Sequence, residues 1–477
     1  MLLRFVPYDC SWPRTAARHY MTIQEPSALA TDFYQLTMAA AYFANGLHQA
    51  VAEFELSVRS LPPRRSCLIA AGLQTALDFL AAARFSPDDV DYLRGLPALA
   101  AAPLDFFTRL RDWRFTGDAW AVPEGTAVFA AEPLLRLRAP LIEGQIVETF
   151  LLSVLGFETM VATKAARLAA AARGRGVVDF GARRTHGFAA APAAARAAYI
   201  GGCIGTSNVA AGRRFGIPLY GTMAHSFVMA FPDEDSAFRA FLKLYPDTAT
   251  LVIDTYDTIA AARLLARNFG ARVPAVRLDS GDLLELSRKV RGIFDAAGMA
   301  HTRIIASNEL DEYRIAVLLD AGAPIDAFGV GTELASSTDA PSLSTIYKLV
   351  SLSGCGRVKL SPGKSLLPHA KQTWRRADDA GIYREDIVAL SQEAAPNDAW
   401  RPLLRQVMTS GEPTHDGESI AAARARAAEE IRRLPPGLLL GYAPSEYPVR
   451  PSARLQAARR ELEGEIRLGM ETAAGVA

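Results

Sequence analysis

The chain has 477 residues, enough for two or three domains and a large core, and 52 Lys plus Arg against 51 Asp plus Glu leave a formal charge of +1. So even a balance gives no global field for nucleic acid or a membrane surface, and any basic site must be local. Cys10, Cys67, Cys203 and Cys355 stand apart without CxxC spacing, which argues against a disulfide framework or zinc site and fits a reducing compartment, with the cytoplasm as the expected location.

No run of about 18 consecutive apolar residues marks a membrane span. Residues 1–20 carry Arg4, Asp9, Arg14 and Arg18 without a signal-type apolar stretch, so they are expected to be a disordered extension, or the true start to be Met21. Residues 31–38 open with the capping types Thr31 and Asp32 and run into an alanine-rich stretch stopped by Gly46, predicting a helix. Alternation over 51–58 predicts a half-buried strand; a turn at Pro62 and Pro63, a short strand at 68–71 and a helix at 73–84 follow. A helix is expected at 105–115 and strands within 119–137, broken at Pro123 and Pro133. Residues 144–155 and 162–173 read as two further helices, the second alanine-rich enough for propensity to carry it.

From Val177 the pattern changes to short apolar strands, each ended by a polar, glycine-bearing cluster and followed by a helix. The strands lie at 177–180, 203–204, 219–220, 250–253, 275–277, 303–306 and 327–328. Seven such units predict a parallel sheet, most economically closed as a barrel, with its chemistry in the loops after the strands. Beyond Val350 the regularity fades into a basic Gly/Pro loop at 357–371 and two charged amphipathic helices at 420–433 and 452–467.

The strand-end clusters hold the reactive residue types. Gly329-Val330-Gly331-Thr332 is a candidate phosphate cradle, with a plain turn as the alternative. Asp254, Asp257, Asp279 and Asp282 can accept sugar hydroxyls or face Mg²⁺ through its waters, or simply cap helices; two such loops near Arg277 favour a ribose-phosphate and metal site. Arg183 and Arg184 offer guanidinium forks to a carboxylate or phosphate. Lys359, Lys364 and Lys371 could meet nucleotide phosphates, or form an ordinary solvated loop. His225 follows the Gly221-Thr222 turn and precedes an apolar run, which places it at the mouth of a core, as a functional group or a satisfied core histidine. Residues 176–181 lack dinucleotide-fingerprint spacing.

Taken together, TDFYQLTM at 31–38, FELSVR at 54–59, AAG at 70–72, DFGARR at 179–184, GTSN at 205–208, GTMAHS at 221–226, DTYD at 254–257, VRLDSGD at 276–282 and GVGT at 329–332 resemble the nicotinate phosphoribosyltransferase family, in order from Thr31 to Lys371. The resemblance implies an α/β fold: an N-terminal α/β sandwich (21–150), an irregular (β/α) barrel (151–350), and a C-terminal segment (351–477) that packs on the N-terminal domain and forms a helical subdomain. It also implies a homodimer with shared active sites. In the implied reaction nicotinate displaces pyrophosphate from 5-phosphoribosyl 1-pyrophosphate, ATP is hydrolysed through a phosphohistidine at His225, and Mg²⁺ is the cofactor, its protein ligands unassigned.

By the same resemblance Phe180 and Tyr34, the latter from the partner subunit, sandwich the pyridine ring, and Arg183 and Ser226 address its carboxylate. Thr222, Arg277, Asp279 and Asp254 hold the ribosyl and pyrophosphate groups. Ser307, Asn308, Gly329, Gly331 and Thr332 form the ribose and 5′-phosphate pocket, and Arg59, Lys359 and Lys364 are offered to ATP or pyrophosphate. Two departures stand out: Thr185-His186 follow Arg184 where relatives carry small or amide residues, and Ser207 stands where nicotinamide-using relatives carry an acid. A hydroxyl there, beside Arg183, favours the anionic acid over the amide. The rival readings are a nicotinamide phosphoribosyltransferase, a phosphate-binding barrel isomerase or aldolase, which leaves the Tyr34 and His225 motifs unexplained, and a non-catalytic metabolite-binding relative.

Overall fold

The structure is a computed structural model that describes residues 27–361, 367–415, 417–441 and 446–474, so the expected extension at 1–20 and Lys364 lie outside the described residues. The first part runs α1 (Phe33–Ala44), β1 (Val51–Val58), β2 (Leu68–Ile69), α2 (Leu73–Ala82), α3 (Pro87–Arg94), α4 (Leu104–Arg111), β3 (Asp118–Ala121), β4 (Ala127–Val128), β5 (Pro133–Pro140), α5 (Leu141–Ile146) and α6 (Glu148–Ala171). There follow β6 (Gly176–Asp179), α7 (Ala190–Gly201), β7 (Gly205–Thr206), α8 (Val209–Phe215), α9 (His225–Met229), α10 (Glu234–Leu244), β8 (Thr250–Val252), α11 (Thr258–Asn268), β9 (Ala275–Leu278), α12 (Leu283–Ala296), β10 (Arg303–Ala306), α13 (Glu312–Asp320), β11 (Ala327–Val330) and α14 (Thr332–Ala335). The last part holds β12 (Thr345–Leu352), β13 (Cys355–Gly356), β14 (Lys371–Ala377), β15 (Tyr383–Leu390), β16 (Trp400–Pro402), β17 (Arg405–Thr409), β18 (Glu412–Pro413), α15 (Ile420–Arg433), β19 (Val449–Pro451) and α16 (Ala453–Ala474).

The N-terminal sheet has seven strands in the order β13-β12-β1-β5-β3-β17-β18, antiparallel throughout. Its core interleaves Phe54, Leu56, Leu135 and Leu137 of the sheet with Leu36, Leu77, Phe106 and Leu110 of the helices. Two expected boundaries move. The end of the barrel placed at 350 is too late, because β12 leaves the barrel and pairs with β1. The boundary at 150 falls inside α6, since the two helices expected over 144–173 are a short α5 and one continuous 24-residue helix. No proline or capping break separates its halves.

The second sheet is parallel, in the order β7-β6-β11-β10-β9-β8. The strand expected at 219–220 is reduced to one parallel bridge, Thr206 to Leu219. The strand expected at 203–204 lies two residues later, at Gly205–Thr206, and among the described residues no ladder joins Leu219 to β8. The closed barrel becomes a curled half-barrel, and the crossover through α9 and α10 occupies the connection between its two edges. Five of its helices begin on an Asn or Asp side chain that accepts from the first turn: Asn208, Asp233, Asp257, Asp282 and Asp311.

The C-terminal segment is richer in strands than its sequence suggested. A third sheet, β16-β14-β15-β19, carries charged residues inward: Arg375 and Asp386 are fully buried and bonded to each other. Those charges hide the apolar alternation that marks a strand. Lys371, expected in the phosphate-facing loop, opens β14 and is buried against Glu55 of β1 at 2.7 Å, which removes it as a phosphate contact.

α6 is long and apolar enough to cross a membrane by composition, with mean hydropathy 1.2, but it lies largely buried between two cores. Thr159 and Thr163 take the place of a strand partner for β2, accepting the N–H groups of Ala71 (3.2 Å) and Ile69 (2.9 Å). Glu158, buried beside Glu124 and Arg196, has its carboxyl pushed up to about 7: burial raises it, Arg196 opposes and Glu124 reinforces. A carboxyl raised in the folded state contributes stability in full below its unfolded pKa and loses it as pH climbs toward about 7. Glu158→Gln is expected to abolish that decline, so urea melts at pH 5 and pH 8 should show the wild type losing about 2 kcal/mol more than the variant.

Candidate active site

The loops after β6, β7, β9, β10 and β11 meet at one end of the half-barrel and frame two adjoining hollows that share Phe180, Arg183 and Arg277. One, of about 250 Å³, is lined also by Ala182, Ser207 and residues 221–224. The other, of about 230 Å³, is lined also by Arg184, Asp279, Ser307, Asn308, Glu309, Gly329, Gly331 and Thr332. A larger hollow of about 610 Å³ lies at the opposite ends of the strands and contains none of the expected site residues.

Arg277 organises the junction. Its Nε donates to Ser307 Oγ (2.7 Å), one terminal nitrogen to Thr222 Oγ1 (2.9 Å) and the other to Asp279 Oδ1 (2.7 Å). Ser307 Oγ also donates to Asp279 Oδ1 at 2.5 Å. The guanidinium carbon lies 5.7 Å from the centre of the Phe180 ring, so the fork and the ring are packed as one unit. Ser307 is buried and acts here by orienting Arg277 and Asp279. Asn308 follows in the left-handed region with φ +101°, a strained setting for a residue other than glycine.

The Phe180 loop is fixed from below by Asp179, a residue the sequence reading quoted without assigning it a part. Asp179 is buried; it accepts the N–H of Gly181 (2.8 Å) and the hydroxyl of Thr206 (2.7 Å). Burial raises its pKa, against the pull of those two donors. An acid ending an apolar strand was the available signal. A Cβ on Gly329 would come within 2.5 Å of the Phe180 ring, so this glycine makes room for the ring while it lines the second hollow with Gly331 and Thr332. Arg184, weighed but unassigned, lines the second hollow. Neither it nor Arg183 meets a carboxylate among the described residues, which gives that hollow an excess of cations.

The four aspartates separate into pairs. Asp257 and Asp282 are helix caps, accepting from Ala260 (2.7 Å) and from Leu284 and Glu285 (3.0 Å each). Asp254 and Asp279 face the site. Asp254 Oδ2 accepts the Asp279 N–H (3.0 Å) and the Ser280 hydroxyl (2.5 Å), while its Oδ1 is buried without a partner. That orphan oxygen beside a second carboxylate suits Mg²⁺, which takes one or two protein carboxylates and completes its shell with water and substrate phosphates.

His225 opens α9 after Ala224 and spans the seam between the sheet's two edges. Its Nδ1 is 3.1 Å from Thr255 Oγ1, just past β8, and its Nε2 is 3.8 Å from Asp279 Oδ2. With its side chain 42% exposed it is no buried core histidine. Ser226, next along α9, is exposed and lines neither hollow, whereas Arg183 and Ser207 line the first. His186 is likewise exposed and outside both hollows. Tyr34 is 49% exposed on α1 and lines neither of the two hollows; Arg59 and Lys359 are exposed away from them.

Three family profiles match this chain: the nicotinate phosphoribosyltransferase N-terminal domain over residues 29–156, the nicotinate phosphoribosyltransferase family over 176–367, and the nicotinate phosphoribosyltransferase C-terminal domain over 396–459. A nicotinate phosphoribosyltransferase of Mycobacterium tuberculosis is 48% identical over 447 residues, covering 91% of this chain and 93% of the relative. One of Bacillus subtilis is 41% identical, covering 77% and 76%. The crystal structure of human nicotinic acid phosphoribosyltransferase superposes with a TM-score of 0.81 at 30% identity, covering 91% of this chain and 99% of that one. The hollows, the Arg277 junction and the half-barrel thus sit within a sequence match that spans nearly the whole described chain, and the chain belongs to the nicotinate phosphoribosyltransferase family.

Proposed function

We propose that this protein transfers the phosphoribosyl group of 5-phosphoribosyl 1-pyrophosphate to the ring nitrogen of nicotinate, giving nicotinate mononucleotide and pyrophosphate in NAD salvage. One observation carries the reading: two hollows share a single Arg277 junction, one flanked by Phe180, Arg183 and Ser207 for a planar acid, the other rich in cations for a phosphate. Phe180 offers its ring to the pyridine, Arg183 a fork to the carboxylate, and Ser207 a hydroxyl that suits an acid. Displacement at the anomeric carbon develops oxocarbenium character, so holding both reactants in line supplies much of the acceleration. Arg277 and Asp279 hold the sugar and its leaving group; Asp254 and Asp279 would hold Mg²⁺, which neutralises charge on the departing pyrophosphate.

Tyr34, half exposed, becomes the second face of the pyridine site when it comes from a partner subunit, and this supports a homodimer with shared sites. Buried, unpaired Cys67 and Cys203 and exposed, unpaired Cys355 suit the cytoplasm. ATP would phosphorylate a ring nitrogen of His225, with ADP leaving and water later releasing phosphate. The change acts on the phosphoribosyl site through Asp279 and Thr255 rather than on the sugar. His225→Ala is expected to keep slow, ATP-independent synthesis and to lose stimulation by ATP; a variant still fully ATP-coupled would remove the histidine from the mechanism. The whole reading is tested by mass detection of nicotinate mononucleotide from both substrates and Mg²⁺, with and without ATP, and absence of product in both arms overturns it.

A further inference from the structure

The second hollow is framed by the loops after β9, β10 and β11. Gly331 and Thr332 open α14, four residues long, and Ser307 and Asn308 precede a turn that leads into α13. Behind both lies Lys164 of α6, with its side chain 1% exposed and in neither hollow. Its ammonium is 2.7 Å from Glu312, the first residue of α13, 3.5 Å from Glu333, which follows Thr332, and 2.9 Å from Asp339. Arg167, one turn along α6, holds the other oxygen of Glu312 at 2.7 Å, and Arg65 holds Asp339 at 3.1 Å.

Three cations thus meet three carboxylates, which is the condition under which a lysine is tolerated inside a protein. Burial lowers the Lys164 pKa, and Glu312 and Asp339 more than reverse this, holding it above the usual value. α14 also backs onto the nicotinate side: a Cβ on Gly181 would lie 2.3 Å from that of Ala335 and 3.0 Å from the carbonyl of Gly331. Glu333, however, follows Thr332, which lines the second hollow and not the first, so the Lys164 tie acts on the phosphate rim.

We propose that Lys164 is a positioning residue for the phosphoribosyl substrate, tying the loops after β10 and β11 to α6 so that the 5′-phosphate rim is formed before substrate arrives. The inference rests on the reading that the second hollow takes that phosphate. The test compares full-length wild type, Lys164→Met and Lys164→Arg in steady-state kinetics with each substrate varied. Lys164→Met is expected to raise KM for phosphoribosyl pyrophosphate about ten-fold, with KM for nicotinate changed less than about two-fold, and Lys164→Arg to recover most of the loss. Should Lys164→Met fail to fold, Glu333→Ala cuts the same tie at its partly exposed end. It is expected to raise the same KM at least about three-fold although it removes a negative charge. An unchanged phosphoribosyl pyrophosphate KM, or an equal rise for both substrates, overturns the proposal. If the wild type makes no mononucleotide, the functional reading fails separately, and calorimetric titration with inorganic phosphate then decides for Lys164: weaker binding by the variants supports it and equal binding overturns it.

Discussion

Arg277→Ala is expected to lower kcat/KM for phosphoribosyl pyrophosphate by about a thousand-fold, equivalent to ~4 kcal/mol of lost transition-state stabilisation. Two losses combine. The guanidinium is, with that of Arg183, a charge common to both hollows, and its three bonds tie Ser307, Thr222 and Asp279 together. Without it Asp279 loses one of two donors on Oδ1 and turns away from the position it shares with Asp254 and His225. Arg277→Lys should recover little, because one ammonium cannot reproduce a fork with three separately directed bonds. Since the side chain is 13% exposed at the mouth of the site, the melting temperature should fall by no more than a few degrees. Steady-state kinetics and a thermal melt of the same preparation check both halves. A loss below ten-fold would show that another group holds the leaving pyrophosphate.

The largest effect on stability is expected at Arg375, far from the chemistry. Its guanidinium is fully buried, bonded to Asp386 (2.6 Å and 2.9 Å), Glu430 (3.2 Å) and the carbonyl of Ala127 (2.6 Å), with Glu132 at 3.8 Å. Burial disfavours its charge, but the three carboxylates overcome that and hold its pKa above the ordinary arginine value. Glu132, pushed up by its own burial and by Asp386, already resists ionising. Arg375→Leu leaves these acids facing one another in the interior and is expected to destabilise the fold by about 3–5 kcal/mol, read as a lower urea midpoint. Arg375→Leu combined with Asp386→Leu should recover part of this, because removing a whole buried pair costs less than orphaning one member. If the single substitution costs less than 1 kcal/mol, the acids have taken up protons at no net expense and the cluster is not what holds β14 and β15 to β4 and α15.

The site was legible because strand ends carry motifs. Asp254, Asp279, Ser307 and Gly331 lie in the loops that the seven-unit pattern marked and Arg277 in the strand before one of them, and the half-barrel brings Asp254, Arg277, Asp279 and Ser307 within bonding distance. The pattern could not say which aspartates were caps, because Asp257 and Asp282 lie three residues after Asp254 and Asp279 in the same two loops. Only the direction of each carboxylate separates them. Gly329 was legible as glycine-demanding but not for its reason, since the Phe180 ring reaches it from another strand. The third sheet stayed hidden because a strand that buries Arg375 opposite Asp386 breaks the apolar alternation by which strands are found. Ser226 adjoins His225 in sequence, but the first hollow ends at Ala224 and neither residue lines it.

α6 contributes Leu151 and Leu155 to the core of the antiparallel sheet and Val161, Ala165 and Leu168 to the core of the half-barrel. The chain then crosses back twice, at β12 and at β17, to complete the first sheet with residues that come after the second. The two halves therefore share one rod and are stitched through it, so neither can lose its packing without exposing apolar surface of the other. Unfolding should be a single cooperative event rather than two. A fragment ending before α6 would keep α1–α5 and β1–β5 but lack part of the wall they lean on.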